Sequence, residues 1–164
     1  MSLPAAAELA RRRMLRPGAF PLYLWLKLPL AACAGLRLQE LGETRCVVRL
    51  PGGWRTQNPF RSTYFAAQAM AAEMSTGAPA MVLLQGAPAS ISMLVRGISA
   101  SFTKKATGPT LFTFEDVAGM RAVIDAAGAC EEGREYAARS AGRMLDGTLV
   151  AEFDVQWTFR RRAR

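Results

Sequence analysis

The chain has 164 residues, 51% hydrophobic and 21% charged, which suits one domain with a buried core and argues against disorder. Its 21 basic and 13 acidic residues leave a net charge of +8, which favours anionic partners in general but says nothing about fold. There is no histidine, which excludes Ser-His and Cys-His nucleophile pairs and histidine zinc sites, and three scattered cysteines (Cys33, Cys46, Cys130) argue against a disulfide framework or metal cluster.

Catalysis, if present, therefore falls to carboxylates, hydroxyls or backbone amides, with no metal and no cofactor expected. A reducing cytoplasm is the expected setting. The arginines at 11–13 and 16, and those at 160–162 and 164, read as solvated terminal clusters. No aromatic residues interleave with them, so nucleic-acid binding is not expected.

In chain order, Pro4 to Leu15 has helical composition and Pro17-Gly18 ends it. Phe20 to Leu30 reads as a short helix or an amphipathic surface segment, packing on the domain's own core or a dimer partner rather than on a membrane. Lys27, Pro21 and Pro29 interrupt its apolar run, which argues against an export signal, and no stretch is long enough for a membrane span. Gly35 to Leu41 and Arg45 to Leu50 read as strands joined at Gly42-Glu43-Thr44.

Next comes the stretch around which the chain is organised, a predicted helix over 58–77. Asn58 suits the N-cap, Pro59 the first helical position and Gly77 the C-terminal stop. Alanines at 66, 67, 69, 71 and 72 would let a sheet approach the helix backbone. Glu73 breaks the pattern as the one charged residue between Arg61 and Arg96. A carboxylate buried without a partner is costly, so Glu73 either faces water or has a role.

A small apolar run, Met81 to Leu84, follows. Ser90 to Thr103 then reads as a long strand whose apolar phase flips at Gly97, which predicts a bulge there. Thr110 to Phe114 reads as the next strand. Asp116 is placed as N-cap of a short helix to Ala127. A final hairpin runs from Glu135 to Leu145, turns at Asp146-Gly147, and returns from Thr148 to Phe159 with strict alternation.

Strands wrapped on one Ala-rich helix make an α+β protein, and this arrangement resembles the hotdog fold: five to six antiparallel strands around the central helix, with an N-terminal helical segment and an inserted helix at about 116–127. The expected organisation is a helical appendage at 1–33, a single hotdog domain at 34–160 and a basic tail at 161–164. In phenylacetate-degradation-type thioesterases of this superfamily, an Asn precedes a His-Gly-Gly by six residues, an acid follows the His by nine, and a Gly comes four later. Asn58, Tyr64, Phe65, Glu73 and Gly77 stand at those spacings. Phe65-Ala66-Ala67, the inserted helix and the ending Asp146-Gly147 through Trp157-Thr158-Phe159 resemble the branch labelled a domain of unknown function, in which a Phe-Ala-Gly-like segment replaces the His-Gly-Gly region.

The resemblance implies hydrolysis of an acyl thioester of the acyl-CoA class, the CoA moiety entering as part of the substrate. Glu73 would be base or nucleophile, the backbone N–H of Phe65 or Ala66 the oxyanion donor, and Asn58 the orienting group. Tyr64, Lys104 and Lys105 would contact substrate, the lysines at CoA phosphates. Fifteen residues of continuous helix would put Asn58 roughly 22 Å from Glu73, so the expected enzyme is a homodimer with two composite sites, or a dimer of dimers. The alternative is a non-catalytic hotdog protein that binds an acyl or other apolar ligand. Capping alone is the rival role for Asn58, and a salt bridge to a partner's arginine the rival for Glu73.

Overall fold

A computed structural model describes residues 3–162. Three helices, α1 (Ala5–Leu15), α2 (Ala19–Lys27) and α3 (Pro29–Ala34), lead into strands β1 (Arg37–Leu41) and β2 (Cys46–Leu50). The long helix α4 (Phe65–Gln85), β3 (Ile91–Phe102), β4 (Thr110–Phe114), α5 (Val117–Ala129), β5 (Arg134–Met144) and β6 (Leu149–Arg161) complete the chain. The six strands form one sheet in the order β1-β2-β4-β5-β6-β3, antiparallel throughout. The sheet packs around α4, which lies against β2, β4, β5 and β6, with α1 and α5 beside it. The fold is the hotdog.

Alternation places the core. On β6, Ala151, Phe153, Val155, Trp157 and Phe159 are buried and face α4, whereas Asp154, Gln156 and Arg160 are exposed. Two polar contacts fix the helix on the sheet. The Trp157 Nε1–H donates to Thr76 Oγ1 at 2.9 Å, and the Ser75 and Ser140 hydroxyls meet at 2.8 Å. Since the Ser75 hydroxyl also bonds the Ala72 carbonyl at 2.8 Å, its proton goes there and Ser140 is the donor of the pair.

The bulge in β3 falls where the apolar phase flips: the register slips between Val95 and Gly97, leaving Arg96 extra, bonded to Glu135. That slip keeps Met93, Val95, Ile98, Ala100 and Phe102 all opposite the inward residues of β6. Asp116 caps α5, its carboxylate accepting from the Gly119 N–H at 2.9 Å.

The central helix departs from the expected 58–77. It starts seven residues later and runs through Gly77 and Pro79 to Gln85, taking in Met81 to Leu84. Gly77 stays in the helix because Trp157 packs where its side chain would be: a Cβ there would lie 3.3 Å from the indole ring. Residues 74–80 are all buried, so packing carries the helix past a proline that removes one backbone bond.

Asn58 does not cap α4. Its Oδ1 accepts from the N–H groups of Phe60 (2.9 Å) and Ser62 (3.2 Å), closing a tight turn in which Arg61 takes a left-handed φ of 59°. The N-terminal helices contribute Ala7, Phe20, Leu24, Ala31 and Ala34 to the same hydrophobic core as the sheet. Of the basic tail, Arg161 ends β6, and Ala163 and Arg164 lie outside the described residues.

Candidate active site

The loop before α4 is held at both ends. Thr63 N–H donates to the Ala106 carbonyl at 2.7 Å, and Tyr64 N–H to the Thr56 carbonyl at 2.7 Å. The first contact ties the helix start to the turn after β3, and a groove of about 560 Å³ lies between them. Asn58, Tyr64, Phe65, Lys104 and Lys105 all line it. A groove of this size falls in the range of small-molecule sites.

Tyr64 holds the N-cap position of α4 in extended conformation, with ψ 137°. The N–H groups of Phe65 and Ala66 then meet no acceptor among the described residues, as expected for the first turn of a helix. These two donors carry the positive end of a 21-residue helix and suit an oxyanion or other anion. Tyr64 and Phe65 are both exposed and their rings meet edge to face at 4.8 Å. Asn58 donates one Nδ2–H to Ser62 Oγ at 3.0 Å, which leaves one N–H of its amide uncommitted.

Glu73 does not line this groove. Along the helix it is eight residues beyond Phe65, about 12 Å at 1.5 Å per residue. The shift of the helix start thus shortens the expected separation between helix start and acid without bringing them together. Glu73 sits on the part-buried stripe Ala66, Ala69, Met70 and Glu73 of α4. Its Oε1 lies 3.2 Å from the place of a Gly77 Cβ, beside Trp157. Among the described residues its carboxylate has no hydrogen-bond or ion-pair partner. Burial pushes its pKa above the ordinary 4.5, and its charge in turn helps raise that of Tyr23, whose own burial is the larger cause.

Two residues not singled out from the sequence belong here. Gln68 is buried on the groove wall; its Nε2 donates to the Thr63 carbonyl at 3.1 Å, holding the helix start, and its Oε1 lacks a partner. Tyr23, from α2, reaches α4 and donates its hydroxyl to Met81 Sδ at 3.4 Å. Neither had a local signal, since a helical Gln and an aromatic between prolines read as ordinary surface and packing residues. No group of acidic or cysteine side chains suited to a metal ion occurs among the described residues.

The model of a family described as a domain of unknown function, DUF4442, matches residues 17–159, and the chain belongs to that family. Among solved structures, one from Pseudomonas aeruginosa, described as a protein of unknown function and probable thioesterase, is 23% identical, with TM-score 0.68 over 98% of this chain and 99% of that one. The Escherichia coli PaaI protein of the phenylacetic acid degradation operon is 10% identical, with TM-score 0.63 over 97% of each chain. A Staphylococcus aureus thioesterase, solved as a Gln→Ala variant, is 12% identical, with TM-score 0.62 over 80% of this chain and 98% of that one. No curated protein matches the sequence.

Proposed function

We propose that the protein hydrolyses acyl thioesters of the acyl-CoA class at two sites, each shared between the α4 start of one copy and Glu73 of the other. The observation that carries this is Glu73 itself, a part-buried carboxylate with no cation beside it among the described residues, on a helix whose first two N–H groups are open. A base with a raised pKa is better matched to proton transfer near neutrality than an ordinary glutamate. The Staphylococcus aureus thioesterase was also solved as a Glu→Ala variant, and its two substituted positions stand fifteen residues apart, as Asn58 and Glu73 do.

In the proposed reaction, Glu73 takes a proton from water as the water oxygen attacks the thioester carbon. The Phe65 and Ala66 amides of the facing copy hold the resulting oxyanion, supported by the helix dipole. Collapse breaks the C–S bond, and the proton on Glu73 passes to the departing sulfur, giving a free acid and CoA thiol. The free Asn58 N–H orients the thioester, Tyr64 lies along its arm, and Lys104 and Lys105 meet the phosphates.

Two copies are proposed to pair along β3, one of the two edges of the sheet. Its inward residues Ile98 and Phe102 are 45% and 50% exposed, although they share a face with the core residues Val155 and Ala151. A long apolar edge left open is a template for another strand.

The experiment is release of free CoA from a panel of acyl-CoAs, expected for wild type and lost in Glu73→Gln. Turnover unchanged in that variant rejects the assignment. One feature favours the second reading, a non-catalytic hotdog that binds an acyl or apolar ligand: Phe65, 56% exposed, stands at the helix start where the resembled thioesterases have glycine, narrowing the approach. Tight binding of acyl-CoA by wild type without turnover would establish it.

A further inference from the structure

The outward face of α2 is apolar. Leu22, Trp25 and Leu26, at i, i+3 and i+4, are 59%, 60% and 69% exposed, and Leu30 on α3 is 71% exposed. Phe20 and Leu24, elsewhere on the helix, already anchor it in the core. Three large apolar side chains on one helix face, with a fourth exposed on the next helix, mark an interaction surface rather than scatter.

Beside them opens a cavity of about 480 Å³, with buried Phe20 and Leu24 among its lining and the exposed Trp25, Arg16, Arg37 and Arg55 at its rim. None of these three guanidinium groups has a hydrogen-bond or ion-pair partner among the described residues. Arg37 also stands directly opposite Arg49 in the β1–β2 register, and Arg49 keeps a buried Nε without a partner. Like charges paired across strands repel, so an anion beside them is favoured. The one acid before Glu40, Glu8, is already bridged to Arg11 and Arg12.

We propose that this face docks on an anionic membrane surface, with Leu22, Trp25, Leu26 and Leu30 entering the interfacial layer and Arg16, Arg37 and Arg55 holding lipid phosphates. No helix among the described residues is long and apolar enough to cross a bilayer, so the attachment lies in the plane of the surface. A twofold contact with a second copy would set the same arginines against themselves, and no carboxylate lines the cavity to offset them. Nucleic acid accounts for the arginines but not for three leucines. Pairing along β3 leaves the patch available, because α2 packs on β1 at the opposite sheet edge.

The test is sedimentation of the full chain, at low salt, with vesicles of phosphatidylcholine alone or mixed with phosphatidylglycerol. Binding is expected to require phosphatidylglycerol, to weaken about five-fold for each of Arg16→Gln, Arg37→Gln and Arg55→Gln, and to weaken at least about ten-fold in Trp25→Ala/Leu26→Ala. These exposed positions should leave circular dichroism and oligomeric mass unchanged. No binding by wild type, or binding that ignores Trp25 and Leu26, overturns the proposal. So does a lower oligomeric mass of Trp25→Ala without lipid, which would make the patch a subunit interface. Retention of an oligonucleotide that depends on the arginines but not on Trp25 would likewise overturn it, in favour of nucleic acid.

Discussion

Glu73 combines burial with the absence of a cation, and its pH behaviour should report both. Because its folded pKa lies above the ordinary 4.5, its neutral form contributes stability that is full below about pH 4.5 and is lost as the pH rises through the folded value. Glu73→Gln, which carries no charge, should therefore be more stable than wild type at pH 7 and lose that advantage below pH 4.5, as read by denaturant unfolding at the two pH values. The acid limb of kcat/KM in wild type should lie above 4.5 for the same reason. Asn58 allows a cleaner separation of roles. Asn58→Asp keeps an acceptor for the N–H groups of Phe60 and Ser62 but removes the Nδ2 donor. If that donor orients substrate, the variant should fold with unchanged thermal stability and lose turnover. In the core, Thr76→Val strands the Trp157 indole N–H and should cost about 1–3 kcal/mol in chemical unfolding.

At the scale of elements, the strands and α5 were legible in the sequence because alternation and capping are local. Asp116 capped where it was placed, and the phase flip at Gly97 became a slip of register. The ends of α4 were not legible, for a physical reason. Asn-Pro satisfies the same local preference in a tight turn as at a helix start, and the choice here is made by Thr63 and Tyr64, whose backbone bonds to Ala106 and Thr56 hold the loop extended until Phe65. Likewise Gly77 read as a stop, and only Trp157, eighty residues away in sequence, makes the glycine a packing surface. The groove residues Asn58, Tyr64, Phe65, Lys104 and Lys105 were found through the resemblance. Gln68 and Tyr23 were not, since their roles rest on contacts across the fold.

For the whole molecule, the single chain leaves two features unfinished: an edge strand with inward side chains in the open, and a proposed oxyanion donor and base about 12 Å apart on one helix. The proposed pairing of two copies along β3 would cover the first and supply a second chain for the other. Ile98→Lys, which sets charges in that contact, should halve the mass measured by analytical ultracentrifugation and abolish turnover together, with circular dichroism retained.

The most direct test uses two variants that the proposal expects to be inactive. Phe65→Pro deletes the first open N–H at a helical position that accepts proline, after a Tyr64 already extended at ψ 137°. Glu73→Gln deletes the proposed base. When the two are refolded together in equal amounts, half of the dimers are mixed and each mixed dimer holds one intact composite site, so about a quarter of wild-type CoA release should return. Activity no greater than that of the separate variants would show that each site lies within one chain and would contradict the account.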